Sequence, residues 1–227
     1  MTTTRYHHGN LRAALVEAAV AAARESGPDG LAVRDLARRV GVSHNAAYRH
    51  FSHRDALVAE VAEVGMAGLT AAMRRRTDLV PPPAGPDDEV RAARARLVEC
   101  GRGYVDFALA EPGLFRVLFA AYPTVPGPEQ DQGLEGAAPD DPFAILNTLL
   151  DDLVRVGHLA PEARPGAEIT CWSAVHGFAV LHTEGPLRAL DEATRTAALD
   201  VVLGAIDRSY AATTGAVSTS SGSAGPG

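Results

Sequence analysis

A chain of 227 residues with 46% hydrophobic content has material for one large or two small domains and can bury a core without disulfide or metal staples. No uninterrupted apolar run reaches the roughly 18 residues needed to cross a bilayer, and the opening MTTTRYHHGN lacks the apolar stretch of a signal peptide, so a cytoplasmic protein is expected. The net charge of -7 argues against a nucleic-acid partner only if it is spread evenly, and it is not: residues 1–76 hold eleven Arg against seven acids, a net of +4, while the remainder holds ten Arg against 21 acids, a net of -11.

Five of the eight histidines (His7, His8, His44, His50 and His53) also lie in the basic segment, where nearby phosphate would favour their charged form. A basic head on an acidic body points to a polyanion partner at one end.

In chain order, Asn10 can cap a helix from Leu11 to about Ser26, in which Leu11, Leu15, Ala18, Ala19 and Ala22 recur at helical spacing. Gly27-Pro28-Asp29-Gly30 stops it. A second helix, about Val33 to Val40, puts Val33, Leu36, Ala37 and Val40 on one face and Arg34, Asp35, Arg38 and Arg39 on the other. Gly41 suits the left-handed residue that ends a helix, and Ser43 is a good N-cap for a third helix running to about His50, anchored by Phe51. Ser52 is expected to cap a long fourth helix, about Arg54 to Arg76.

The run Pro81-Pro82-Pro83-Ala84-Gly85-Pro86 cannot continue a helix and marks a domain boundary. Beyond it, residues 88–110 carry Val90, Leu97, Cys100, Tyr104 and Phe107 at helical spacing, and Glu111-Pro112 starts a short helix with Leu114, Phe115, Leu118 and Phe119. Residues 122–141, rich in Pro, Gly and acids, read as a mobile loop. Helices follow at about 142–157, 166–183 and 192–212, and the tail AVSTSSGSAGPG has the composition of a disordered end. Cys100 and Cys171 sit in apolar helical patterns, as buried small residues do. Period-two alternation is nowhere sustained, so the fold is predicted all-α. About nine helices are expected, divided into a helical head (1–53), a connecting helix (54–76), a linker (77–87), a helical bundle (88–212) and a tail (213–227).

The pattern LAVRDLARRVGVSHNAAYRHF meets the requirements of a helix-turn-helix: two short amphipathic helices, a glycine at the turn, small residues where they cross, and polar groups facing outward. Ala37 leaves room at the crossing, Gly41 makes the turn, and Val42 and Ala47 face the core. Over residues 6–60 the chain resembles the tetracycline-repressor (TetR) family of one-component regulators. A second stretch, Trp172-Ser173-Ala174-Val175-His176-Gly177, resembles the Trp-His-Gly signature of one C-terminal subgroup. Many relatives have proline where Ala47 stands, which leaves the start of this third helix less rigid.

On this reading Ser43, Asn45 and Tyr48 approach phosphates or base edges, and His44 reaches the floor of the major groove. Arg34, Arg49, His50 and Arg54 hold phosphates, and the resemblance implies a backbone-contacting tyrosine at Tyr48. Arg5, Tyr6, His7 and His8 form a basic arm that reaches adjacent DNA or simply frays. The histidines have no Cys or acid beside them at ligand spacing, so no metal and no cofactor is expected.

In the C-terminal half, Ile169, Trp172, His176 and Ala179 fall on one helix face and Val175, Phe178 and His182 on another. Leu199, Val202, Leu203, Ile206 and Tyr210 recur at spacings of three and four, as in a helix that packs on a partner. The resemblance implies that about residues 166–212 pair with their copies in a homodimer, which suits a palindromic double-stranded DNA operator. It also implies a cavity for a small-molecule effector, for which Tyr104, Phe107, Phe115, Phe119, Phe143, Trp172 and His176 are the candidate lining. Plain core packing is the alternative for each of them.

Enzyme chemistry finds little support. Gly101-Arg102-Gly103 lacks the third glycine of a nucleotide fingerprint and sits in a helical pattern; G-x-S-x-G, H-E-x-x-H and P-loop motifs are missing; Asp151 and Asp152 read as dipole partners at a helix start. The expectation is a bacterial, homodimeric regulator, a repressor released from its operator by the effector through a shift of residues 54–76. The alternative is a ligand-binding or scaffold helical protein that does not bind DNA.

Overall fold

The computed structural model describes residues 11–121 and 141–211. The expected cap Asn10, the arm Arg5–His8, the loop expected over 122–141 (all but Asp141) and the tail 213–227 lie outside the described residues. Among those described there are nine α-helices, two short 3-10 turns and no strand. The helices are α1 Leu11–Ser26, α2 Val33–Val40, α3 His44–Tyr48, α4 Arg54–Thr77, α5 Pro86–Ala110, α6 Pro112–Ala121, α7 Pro142–Arg155, α8 Ala167–Thr183 and α9 Glu192–Tyr210.

The local signals act where the chemistry predicts. Gly41 takes the left-handed conformation at φ 77°, so the chain reverses between α2 and α3 without the steric cost a Cβ would meet. Ser43 accepts from the Ala46 N–H and caps α3. That helix ends at Tyr48, two residues early, and the Phe51 N–H still bonds the Ala47 carbonyl to bring the ring into the core. Asp141 and Asp191 cap α7 and α9 in the same manner. The cap of α4 is His53, not Ser52: its Nδ1 accepts from Ala56 N–H.

The N-terminal core joins Leu15, Ala19, Leu31, Leu36, Ala47, Phe51 and Leu57, all nearly inaccessible. α4 continues out of it and packs on α5, α6 and α7. It has a window of mean hydropathy 1.5 and is long and apolar enough to cross a bilayer, yet it carries Glu60 and Glu63 and half of that window is buried among its neighbours. The interruption by those two acids is why no continuous apolar run stands out in the sequence.

α6 touches both halves of the molecule, packing on α1, on the 3-10 turn Gly27–Gly30, and on α4. Gly113 makes this approach possible: a Cβ there would stand 2.1 Å from the Ala23 carbonyl oxygen. Arg24 of α1 adds a forked ion pair to Glu111, with Nε 3.0 and 3.1 Å from the two carboxylate oxygens. The short helix predicted from Glu111-Pro112 therefore packs between head and body.

Three expectations change at this level. Asp151 and Asp152 lie in the last turn of α7, where they would oppose the helix dipole, and they are held instead by Arg164 and by Arg155 and Arg96. Leu199, Leu203, Ile206 and Tyr210 of α9 are buried in the chain's own core, so the stripe read as a partner-facing one is already used. Further, α5 starts at Pro86, inside the segment expected as linker.

Candidate nucleic-acid interface and internal cavity

α3 presents its polar side chains because Ala47, on the opposite side, is fully buried against the head core. Ser43, His44, Asn45, Tyr48, Arg49 and His50 are all exposed, as are Arg34 on α2 and Arg54 at the start of α4. Tyr48 is 41% exposed, and its ring meets His44 edge-on at 4.6 Å. The two rings support one another on the outer face, which limits the rotamers either can adopt. Arg34, Arg38, Val42 and His44 border a shallow depression between α2 and α3.

Ion pairing sorts the basic residues of the head. Arg12 pairs with Glu60, Arg24 with Glu111, Arg38 with Asp35 and Arg39 with Glu25. The Glu25 carboxyl is held below its usual range by the hydrogen bond and charge of Arg39. Arg54 donates to the Pro28 carbonyl oxygen and so ties α4 to the turn after α1. Arg34 and Arg49 have no ion pair with any described residue, which leaves their five donors each for an outside acceptor. Two guanidinium groups without an ion pair among the described residues, Arg34 on α2 and Arg49 at the C-terminal cap of α3, with tyrosine, histidine and amide donors between them, form a surface suited to phosphates and base edges.

Inside the C-terminal half is a cavity of about 80 Å³ between α4, α5, α6, α7, α8 and α9. Met66, Leu69 and Met73 come from α4, Leu97 and Cys100 from α5, Leu146 from α7, and Val175 from α8. Of the seven candidate lining residues, Tyr104, Phe119, Phe143 and Trp172 reach its wall. Phe107, Phe115 and His176 do not. Phe107 packs over Gly68, where a Cβ would come within 2.8 Å of its ring, and Phe115 fills the space behind Tyr104, edge-on at 5.8 Å. Sequence spacing shows which residues share a helix face but not how far a neighbouring helix stands off. That is also why the aliphatic and thioether wall went unread.

His176 sits one shell out and is tied to the wall through Tyr104. The Trp172 Nε1–H donates to the Tyr104 oxygen at 3.3 Å, and that oxygen lies 3.0 Å from His176 Nδ1. With Trp172 donating, the phenol's own proton is free to donate to Nδ1, leaving the imidazole proton on Nε2. Burial pushes the Tyr104 hydroxyl well above its ordinary value, and burial lowers that of His176, so both groups are held neutral. His176 in turn packs edge-on against Phe119 at 4.4 Å and tilted against Phe115 at 5.5 Å. Both rings belong to α6, which reaches the head.

Also on the cavity wall, Asp207 takes two charge-assisted bonds from Arg94, at 2.9 and 2.5 Å, and lies 3.3 Å from His158 Nε2. The Arg94 hydrogen bond is the main cause of its lowered pKa. Both cysteines are buried free thiols on the cavity wall; desolvation raises Cys100 to about 12, and the Cys171 sulfur lies 3.5 Å from the Tyr210 hydroxyl.

The outer faces of α8 and α9 carry apolar residues that no described residue covers. Ile169, Val180 and Leu181 are exposed on α8, and Val201 of α9 is 67% exposed with Ala197 and Ala205 beside it. A Cβ added at Gly177 would meet nothing within 4 Å.

Comparison with known proteins brings the two halves under one description. Residues 15–61 match the model described as bacterial regulatory proteins, tetR family, and residues 97–206 match a tetracyclin repressor-like C-terminal domain. No curated protein matches the chain. Among solved structures, a protein of unknown function from Rhodococcus sp. RHA1 is 30% identical, with 89% of this chain and 98% of that one covered and a TM-score of 0.60. TetR from Acinetobacter baumannii AYE is 20% identical over 86% of this chain and 96% of that one, with a TM-score of 0.56. A variant of that TetR in complex with minocycline is 21% identical, covering 87% and 96%, also at a TM-score of 0.56. The latter two share the fold.

Proposed function

Since the chain belongs to the TetR family of DNA-binding transcriptional regulators, we propose that it is a homodimeric cytoplasmic repressor, released from a palindromic operator when a small molecule occupies the C-terminal cavity. The observation that carries this reading is the pairing of two unlike surfaces on one chain: an exposed polar α3 flanked by Arg34 and Arg49, which form no ion pair among the described residues, and an apolar cavity bounded by α4 and α6, both of which run to the head. On this reading Ser43, His44, Asn45, Tyr48, Arg49, His50 and Arg34 contact DNA. Arg54 contributes by holding α4 against the turn at Pro28.

The exposed faces of α8 and α9, around Ile169, Gly177, Leu181, Val201 and Ala205, are the proposed dimer surface. An uncovered apolar stripe on two adjacent helices supports an isologous contact, and a two-fold pair of heads suits successive major grooves about 34 Å apart. Assignment to the Trp-His-Gly subgroup rests on Trp172, His176 and Gly177: Trp172 on the cavity wall is linked through Tyr104 to His176 behind it, and Gly177 leaves the outer face of α8 flat. The solved relative with minocycline bound supports an effector in a domain of this fold.

In mechanism, the ligand has only to bind the released arrangement a few kcal/mol more tightly than the operator-bound one for occupancy to switch the protein. A gel-shift assay at fixed salt tests the head assignment. Tyr48→Ala weakens operator binding with the dimer intact, and an unchanged affinity removes α3 from the interface.

A further inference from the structure

The cavity wall carries few polar groups, and apart from the weakly polar Cys100 thiol those named next already have a partner. Trp172 Nε1–H is given to Tyr104, the Tyr104 hydroxyl is shared with His176, the Asp207 carboxylate is held by Arg94 and His158, and the Cys171 sulfur is in contact with the Tyr210 hydroxyl. A polar or charged ligand group entering this space would lose its water and find few groups free to replace it, since the strongest donors and acceptors on the wall are already bonded within the protein. The remainder of the wall is leucine, valine, methionine and aromatic ring.

The rings also have an arrangement. Trp172 lies nearly parallel to Phe119 at 6.4 Å and takes Phe143 edge-on at 4.9 Å, so flat ring faces and edges are both presented. Met66 and Met73 stand on the same wall, and thioethers favour aromatic ring edges and adapt their rotamers to the guest. The volume, about 80 Å³, is smaller than an engineered apolar cavity of about 150 Å³ that stays dry and binds benzene. One ring is therefore the most it admits, with the methionines yielding.

We propose that this cavity selects an uncharged, apolar, single-ring aromatic compound, a benzene or simple alkylbenzene, and discriminates against analogues of the same shape that carry a carboxylate or an ammonium group. This rests on the reading of the cavity as the effector site. Selection is by exclusion, since most of the hydrogen-bonding capacity of the wall is used within the protein. The single-ring class separates this chain from a ligand as polar as the minocycline carried by its solved relative.

Trp172 is the only tryptophan of the chain and stands on the wall, so its fluorescence reports occupancy. The full-length protein is titrated with toluene, benzoate and benzylammonium at pH 7, alongside the variants Val98→Phe and Leu146→Phe, which fill the cavity from α5 and α7. Toluene should change the Trp172 emission saturably and raise the melting temperature, with the charged pair bound roughly ten- to a hundred-fold more weakly. Either filled variant should lose the toluene response, and the one that keeps its circular dichroism decides if the other misfolds.

If benzoate or benzylammonium binds as tightly as toluene and that binding is lost in the filled variant, the ligand class is wrong while the effector site stands. If no probe gives a response that filling removes, both the class and the effector site are overturned.

Discussion

The Tyr104 oxygen and His176 Nδ1, on helices α5 and α8, lie 3.0 Å apart. Their bond closes a path from Trp172 on the cavity wall to the Phe115 and Phe119 rings of α6. Tyr104→Phe strands the Trp172 N–H and His176 Nδ1 in a largely apolar setting. Chemical denaturation should show a loss of about 1–3 kcal/mol. A variant as stable as the parent means that the phenol is not the shared partner.

The burial of His176 sets a pH dependence. Burial holds His176 below its ordinary value, so the folded chain binds fewer protons here than the unfolded one. This contribution is present in full above the unfolded value near pH 6.5 and is lost as pH falls through the folded value. Between pH 7 and 5 the melting temperature should drop less in His176→Asn than in the parent. An identical drop assigns the effect to other groups.

Gly113→Ala tests the packing between head and body, because the new methyl would be driven against the Ala23 carbonyl. We expect a cost of about 1–3 kcal/mol, as for an overpacked core, and an altered operator affinity with probe binding at Trp172 preserved. If operator and probe affinities change together, α6 is only a structural strut.

The dimer face is tested by Val201→Asp together with Gly177→Glu. Both positions are open in the single chain, so the helical content should persist while the particle mass measured by light scattering halves. Operator affinity should then fall at least about tenfold with the loss of the second head. A dimer of unchanged mass places the two-fold contact elsewhere.

Much of the fold was legible because its signals are local. Gly41, Ser43 and the Pro81–Pro86 run act within a few residues of themselves, and the helix bounds follow. What was illegible depends on distant partners. Ser52 reads as the cap of α4 from its residue type, yet the His53 imidazole takes that place and accepts from the Ala56 N–H. Asp151 reads as a dipole partner until Arg164, thirteen residues on, is seen to hold it. The α9 stripe is apolar whichever surface covers it, and only the fold shows that Leu203 meets Gly101 of the same chain.

The cavity was legible in part for a similar reason. Aromatic residues stand out in a sequence, and Tyr104, Phe119, Phe143 and Trp172 do reach the wall. Phe107 and Phe115 have the same composition signal, but the small residues facing them, such as Gly68, let them fill the core.

Footprinting of the DNA upstream of the protein's own gene, with the purified full-length chain at physiological salt, tests the central claim most directly. The account predicts a protected palindrome whose two half-sites lie about one helical turn or a multiple of it apart, with protection lost in Tyr48→Ala and in the operator's half-site deletions. Uniform, salt-sensitive protection with no preferred site, unchanged by Tyr48→Ala, would contradict it.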